Sequence, residues 1–175
     1  QWQARAKTAT SPVLDIQVDL TINGVGAVID GGGIDRVFHV FARTVVSISS
    51  LTVFNGTGLS GGSISNAGTL TLDDVTVTGN PATSERGGGI WNSGMLTVTN
   101  SAITGNGATG TFDTGGDIYS EVGLLTLTGG IVAGNSAGYG GGLHILSGTA
   151  DLTDVTISTN IASFNGGGIR NDGTL

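Results

Sequence analysis

One recurring position in the chain carries side chains that can stack on a ligand and hydrogen-bond to it. It comes one residue after a buried apolar position in a repeated Gly-rich strand, so it is predicted to point outward. Flat aromatic rings suit the apolar faces of sugar rings, and Trp, Tyr and Arg also suit a packed protein partner. A third interpretation is that the rings only stack on one another between repeats. The residues at this position are Phe41, Ser65, Trp91, Tyr119, His144 and Arg170.

We predict all of these except the serine as ligand-binding candidates, for a glycan or a protein partner. Beside them, one residue before the apolar position, runs a lane with few side chains. Open backbone next to a row of rings would leave room for a flat ligand. The residues of this lane are His39, Ser63, Gly89, Asp117, Gly142 and Gly168.

The same face offers little for catalysis. Glycoside hydrolysis needs two carboxylates about 5–9.5 Å apart. A lyase needs a base and a cation beside the substrate carboxylate. Asp117 is the one acid predicted on this face, and His144 and Arg170 follow it on the next two repeats. We take these three as weak catalytic candidates. The sequence favours a non-enzymatic segment, with a polysaccharide lyase or glycoside hydrolase as the alternative.

A repeat of about 25 residues must position these side chains. Five Gly-rich segments precede apolar residues that lie 26, 28, 25 and 26 positions apart, and each is followed by a second segment such as GTLTLDDVTVTGN. Apolar and polar residues alternate over three short stretches separated by Gly, Asn and Asp, which indicates half-buried strands joined by turns. Propeller blades are longer, at roughly 40 residues, and leucine-rich repeats need a helical half that is missing.

Aligned repeats give three apolar columns, so we predict an all-β fold. This is a right-handed parallel β-helix (a single-stranded β-solenoid) with three strands per coil and about 6–7 coils over residues 16–175. Residues 1–15 are expected to cap the first coil, with Trp2 over its core, and Leu175 is expected to end inside a coil. The columns are Val40, Ile64, Ile90, Ile118, Leu143 and Ile169; then Ile48, Leu72, Val98, Leu127 and Leu152; then Val53, Val77, Ile103, Val132 and Ile157.

The amino-acid composition excludes several classes of protein and of partner. Gly makes up 33 of 175 residues, charged residues only 11%, and the net charge is −7. Collagen would need Gly at every third place, and disorder would need high charge. The acidic balance disfavours nucleic acid and anionic lipid as partners. No apolar run approaches the roughly 18 residues of a membrane span, so no membrane insertion is expected.

Asparagines and acids fall at the turns. Asn80, Asn106, Asn135 and Asn160 each follow a strand, and we interpret them as corner residues that bond the backbone or the coil above. Asp74, Asn100 and Asp154 share another turn column that Gly129 interrupts. Calcium wants six to eight oxygens in one cage. We therefore expect no metal and no cofactor, with calcium as the alternative.

The elements GGGIWNSG and GTLTLDDVTVTGN resemble the repeats of bacterial right-handed parallel β-helix surface proteins, which include the polymorphic-outer-membrane-protein type and the broader pectate-lyase-like superfamily. Leu20–Val40 is similar to the first coils of such secreted proteins. Relatives with lyase activity carry a cluster of acidic calcium ligands and a basic residue that has no match here.

The resemblance implies a secreted or cell-surface location. It also implies a stalk, adhesin or assembly subunit, with end-to-end or homo-oligomeric assembly as a further expectation. Because this fold hosts lyases, hydrolases, adhesins and inert stalks, the resemblance indicates the fold more strongly than the activity.

Overall fold

Parallel strands joined by short turns and loops make up the described part of the chain. The structure is a computed structural model and describes residues 13–83, 86–108 and 115–175. Among these residues there is no helix. The strands in chain order are β1 (Leu14–Ile16), β2 (Leu20–Asp30), β3 (Phe38–Val40), β4 (Val45–Phe54), β5 (Ile64–Asn66), β6 (Thr69–Thr78), β7 (Pro81–Ala82), β8 (Ile90–Asn92), β9 (Met95–Thr99), β10 (Ala102–Thr104), β11 (Gly107–Ala108), β12 (Ile118–Ser120), β13 (Leu124–Thr128), β14 (Ile131–Ala133), β15 (Ser136–Tyr139), β16 (Leu143–Ile145), β17 (Thr149–Thr153), β18 (Thr156–Ser158), β19 (Ile161–Asn165) and β20 (Ile169–Asn171).

The strands stack into three parallel sheets. Sheet A has the order β1-β3-β5-β8-β12-β16-β20. Sheet B holds nine strands: β2, β4 and β6 pair in turn, and β6 then pairs with both β9 and β10, from which β13-β17 and β14-β18 continue. Sheet C has the order β7-β11-β15-β19. The chain is thus a parallel β-solenoid of about 6 turns that repeats about every 26 residues, which confirms the predicted fold.

The core is built from stacked columns of like residues. Two of the predicted columns pair in the expected register through sheet B, for example Leu72 with Val98 and Val77 with Ile103. Along most of the solenoid these side chains are almost fully buried, and they belong to one contiguous core. A residue on one coil therefore packs on its counterparts directly above and below, which is why each column keeps one residue type.

The first column needs one correction. Phe38, not Val40, pairs with Ile64, while Val40 pairs with Asn66. Both Phe38 and Val40 are buried, at 1% and 0% exposure, so alternation alone could not choose between them. Pairing Phe38 with Ile64 keeps a spacing of 26 residues, whereas Val40 would have shortened that coil to 24.

Sheet B bends sharply at a residue with a left-handed backbone in each coil from β4 onward. The bend lies between the two predicted strands of the sheet, and in the first coils the strand runs through it without a break. Asn, Asp and Gly tolerate this conformation, which explains the polar turn column seen in the sequence. The bend residues and their φ angles are Ser50 (52°), Asp74 (55°), Asn100 (49°), Gly129 (66°) and Asp154 (54°).

Sheet C is a fourth strand position that the sequence did not predict. Its strands are two to five residues long, and two of them, Pro81–Ala82 and Gly107–Ala108, have only two residues. Such pieces are too short to show alternation. At the N-terminal side, β1 begins at Leu14, within the segment 1–15 that was expected to be a cap. The rest of that segment, residues 1–12 with Trp2, lies outside the described residues.

Candidate functional site

The outward positions of sheet A form one row in register. Trp91, Tyr119, His144 and Arg170 occupy it on consecutive strands, as predicted. Phe41 does not belong to the row, because the corrected register puts His39 there, paired with Ser65. Phe41 lies just after β3, where its ring centroid is 4.1 Å from that of His39.

The row is covered along part of its length. Ser65, Tyr119 and His144 are only 2%, 2% and 1% exposed, whereas Trp91 and Arg170 are half-buried. The expected open aromatic face is therefore wrong for the middle of the row.

The cover comes from the turn that leads into each strand of sheet A. Gly115 (φ 80°) and Gly140 (φ 55°) have left-handed backbones and lie over the row. A Cβ on Gly115 would stand 2.9 Å from the ring of Tyr119 and 3.1 Å from Cβ of His144. A Cβ on Gly140 would stand 3.0 Å from Cβ of His144. Glycine at these turns lets the backbone close over two large side chains.

The predicted glycine lane is filled: a Cβ on Gly142 would lie 2.7 Å from Nδ2 of Asn160 and 2.7 Å from the carbonyl oxygen of Gly168. The glycines one position before the lane meet stacked backbone. A Cβ on Gly88 would lie 2.3 Å from the carbonyl oxygen of Gly116, and a Cβ on Gly116 would lie 1.9 Å from that of Gly141. Gly62 makes the same close approach to Gly88. Here the glycines allow one coil to lie directly on the next, and they do not make room for a ligand.

Asp117 points into the solenoid, away from His144 and Arg170. It is 0% exposed, and its Oδ1 accepts a hydrogen bond of 2.8 Å from Nδ2 of Asn106. A Cβ on Gly89 would lie 2.4 Å from this oxygen, so the carboxyl group fills the space that the neighbouring glycine leaves. The expected catalytic trio is thus not brought together: its acid lies in the core.

The buried asparagines form a ladder that Asp117 joins. The backbone N–H of Asn80 donates to Oδ1 of Asn106 over 2.9 Å, and that of Asn106 donates to Oδ1 of Asn135 over 2.9 Å. Asn135 makes the same bond to Asn160 over 3.0 Å. These bonds link four coils and confirm that the asparagines are corner residues.

Within this ladder the carboxyl group of Asp117 is incompletely satisfied. No described residue donates a hydrogen bond to its Oδ2. Burial raises the pKa of Asp117 well above its usual value, although hydrogen bonds from Asn106 and Asn135 oppose that rise. The folded protein therefore holds a proton on this group more tightly than the unfolded chain does.

Replacing Asp117 with asparagine should remove this proton linkage. Because the folded-state pKa is raised, wild-type stability falls as pH rises from about 3.9, the unfolded value, towards the folded value. The free energy of unfolding of the variant should equal that of the wild type at acidic pH and exceed it by about 1–3 kcal/mol at alkaline pH. Urea unfolding of both proteins at a series of pH values gives the difference in their free energies of unfolding. A difference that does not change with pH would contradict a proton on Asp117.

On the outward row, His144 lies in a network of charges. Its Nε2 is 3.0 Å from Oδ2 of Asp172, and the same oxygen accepts a bond of 2.7 Å from Nε of Arg170. Burial lowers the pKa of His144, and Arg170 and Arg86 lower it further, against the opposing effect of Asp172. The pKa of Asp172 is lowered by its bonds to His144 and Arg170.

Aromatic contacts extend the network towards sheet C. The guanidinium carbon of Arg170 is 4.4 Å from the ring centroid of Tyr139, and this ring stacks on Phe164 at 4.9 Å. On the other side, the ring of Tyr119 meets that of His144 edge-on at 5.1 Å. Phe164 is 63% exposed, so the outer end of the network faces solvent.

Arg86 completes the cluster beside Tyr119. Its guanidinium carbon lies 5.4 Å from the centre of the Tyr119 ring, and its Nη1 pairs with Glu121 at 2.8 Å. The sequence analysis did not identify Asp172, Tyr139 or Arg86 as parts of one site. The available signal was spacing: His144 and Asp172 are 28 residues apart, close to one repeat.

The chemistry open to this arrangement is limited. The imidazole of His144 is buried under the Gly140 turn, and its single carboxylate partner is already shared with Arg170. Within the described ranges, no three His, Cys, Asp or Glu side chains are placed to hold a metal ion. Over the same residues, no helix is long and apolar enough to cross a membrane.

Comparison with known proteins adds no assignment to this geometry. The chain matches no protein-family model, no curated protein and no solved structure. What is established is the fold: a parallel β-solenoid with a charged and aromatic cluster at one corner.

Proposed function

We propose that this chain is a rigid, non-catalytic β-solenoid segment of a secreted or cell-surface bacterial protein, where it serves as a stalk or a platform for adhesion. The observation that carries the proposal is continuous register. Each strand of sheet A pairs residue for residue with the next across seven strands, and buried asparagine bonds join the coils. Such stacking resists bending, because each coil is hydrogen-bonded to its neighbours along its sheets.

The closed face supports a structural role over an enzymatic one. Tyr119 and His144 are buried, and the one predicted acid of the face, Asp117, is in the core. Of the rings and guanidinium groups in the row, a polysaccharide stacking along this face would meet only the partly exposed His39, Trp91 and Arg170. Glycan binding by an aromatic row is therefore not the function that the geometry favours.

Mechanical unfolding tests the proposal. When the chain is pulled from its two ends, we expect resistance followed by stepwise extension. One coil of about 26 residues should release about 85–90 Å. Extension without force peaks would contradict a rigid segment. A second assay measures the cleavage of acidic and neutral polysaccharides by the wild type. Cleavage activity that stays with the protein through purification would contradict the proposal that the segment is non-catalytic.

A further inference from the structure

The cluster at the corner of sheets A and C joins two successive coils by contacts other than backbone pairing. Asp172, just after β20, accepts from His144 on β16 and from Arg170 on its own coil. Arg170 also covers Tyr139 on β15, whose ring stacks on Phe164 of β19. These side chains tie the coil of β19 and β20 to the coil of β15 and β16.

The bond pattern fixes which nitrogen of His144 carries hydrogen. The carboxylate of Asp172 can only accept, so Nε2 of the neutral imidazole must donate to it. Nδ1 is then an unprotonated nitrogen, and it is buried with no hydrogen-bond partner among the described residues. Protonation of the ring would place a second N–H at Nδ1, where no acceptor is available.

Three charged side chains act on the imidazole of His144. Arg170 on β20 and Arg86 before β8 disfavour a charged imidazole, and Asp172 favours it. Arg86 is held in place by its pair with Glu121. Burial is the largest influence, and with the two guanidinium groups it outweighs the carboxylate.

We propose that His144, Asp172 and Arg170 form a latch that is released by acid and that holds the coil of β19 and β20 against the coil before it. Release requires neighbouring backbone to move, because the His144 side chain is 2% exposed and the Gly140 turn lies against its Cβ. Once His144 moves, Asp172 loses a partner and the Arg170–Tyr139 contact loses its support. The other coils carry no buried histidine in the described residues, so the response is local.

The direction of the pH effect follows from linkage. The pKa of folded His144 is lowered, so the folded coil binds this proton more weakly than the opened coil does. The latch is therefore intact above about pH 6.5, the ordinary histidine value, and weakens as pH falls below it. Asp172 becomes protonated only at more acidic pH, since its own pKa is lowered from a value near 3.9.

The chain offers a direct test because it contains only two histidines. His39 pairs with Asp15 at 3.2 Å, and its side chain is 30% exposed, so it is the control position. NMR titration of the imidazole signals should show His144 as the Nε2–H tautomer, with its pKa lowered from the ordinary histidine value. The protection factor of the amides in Ile161–Asn171, which is the intrinsic exchange rate at each pH divided by the observed rate, should fall over the same pH range. The fall should reach at most about tenfold per pH unit, the limit for one linked proton.

Two variants separate the latch from general acid unfolding. His144→Phe keeps an aromatic ring but cannot titrate, so the protection factors in β19 and β20 should become independent of pH between about 6.5 and 4.5, the range in which histidine titrates before carboxylates. His39→Phe should leave the wild-type pH response unchanged. Equal acid sensitivity in wild type and His144→Phe would overturn the proposal, as would a His144 that titrates at the ordinary histidine value and leaves the protection factors unaltered.

Discussion

Replacing Asn106 with alanine should lower the free energy of unfolding by about 3–5 kcal/mol. Oδ1 of Asn106 accepts from both the backbone N–H and Nδ2 of Asn80, at 2.9 Å each. Its Nδ2 donates to the carbonyl of Val77 and to Asp117, at 3.1 and 2.8 Å. Alanine would leave these groups buried without this partner, and a buried unpaired polar group costs about 1–3 kcal/mol.

Urea unfolding of the variant measures the loss, and the chain supplies a matched control. Asn171 is the last residue of β20, is exposed, and accepts one bond of 3.1 Å from the backbone N–H of Gly173. Its replacement by alanine should cost less than about 1 kcal/mol, because the backbone group it leaves can bond to water. Equal effects of the two substitutions would show that the ladder does not hold the coils together.

Replacing Gly116 with alanine should destabilise the protein by about 3 kcal/mol or more, since overpacking a filled site costs about 1–3 kcal/mol even when side chains can move. The new Cβ would lie 1.9 Å from the carbonyl oxygen of Gly141 and 2.8 Å from its carbonyl carbon. These are backbone atoms, so relief requires separating two coils that are bonded through sheets A, B and C. We expect a large drop in the thermal midpoint and reduced soluble expression.

Gly167 is the control for this substitution, because it occupies the same column. The nearest atom to its Cβ would be the carbonyl oxygen of Asn160 at 3.2 Å, a contact that a small shift relieves. Alanine at Gly167 should therefore change the midpoint much less than alanine at Gly116. A similar loss at both positions would mean that glycine is needed here for backbone conformation, and that close approach is not the cause.

The fold could be predicted from the sequence because solenoid coils repeat their environment. Each position in a coil meets the same position above and below, so burial appears as columns such as Leu72 with Val98. Phe38 and Val40, two alternate residues of one strand, are both buried. The alternation of apolar and polar residues cannot choose between them, and the predicted register of the first column was wrong there.

The surface of the site was harder to predict. Alternation tells which side of a strand a residue takes, and it placed Tyr119 and His144 outside sheet A correctly. It does not tell what lies over that side. The turns at Gly115 and Gly140 lie against these side chains. A glycine-rich sequence is equally consistent with such close packing and with an open lane. Asp117 failed for a related reason: it lies in a turn before β12, where alternation does not apply.

The shortness of sheet C has a consequence for how this solenoid can change its length. From each residue of the third column to the next strand of sheet A, the successive coils use 11, 13, 15, 11 and 12 residues. From β4 onward, the bend in sheet B separates its flanking column residues, such as Leu72 and Val77, by five positions. The side of the rod formed by sheet B therefore keeps a constant length in each coil, whereas the side that carries sheet C, the variable margin, differs in length from coil to coil. Peptides grafted at this margin would be displayed at intervals of one coil, about 4.8 Å apart along the axis or multiples of it, without disturbing the core.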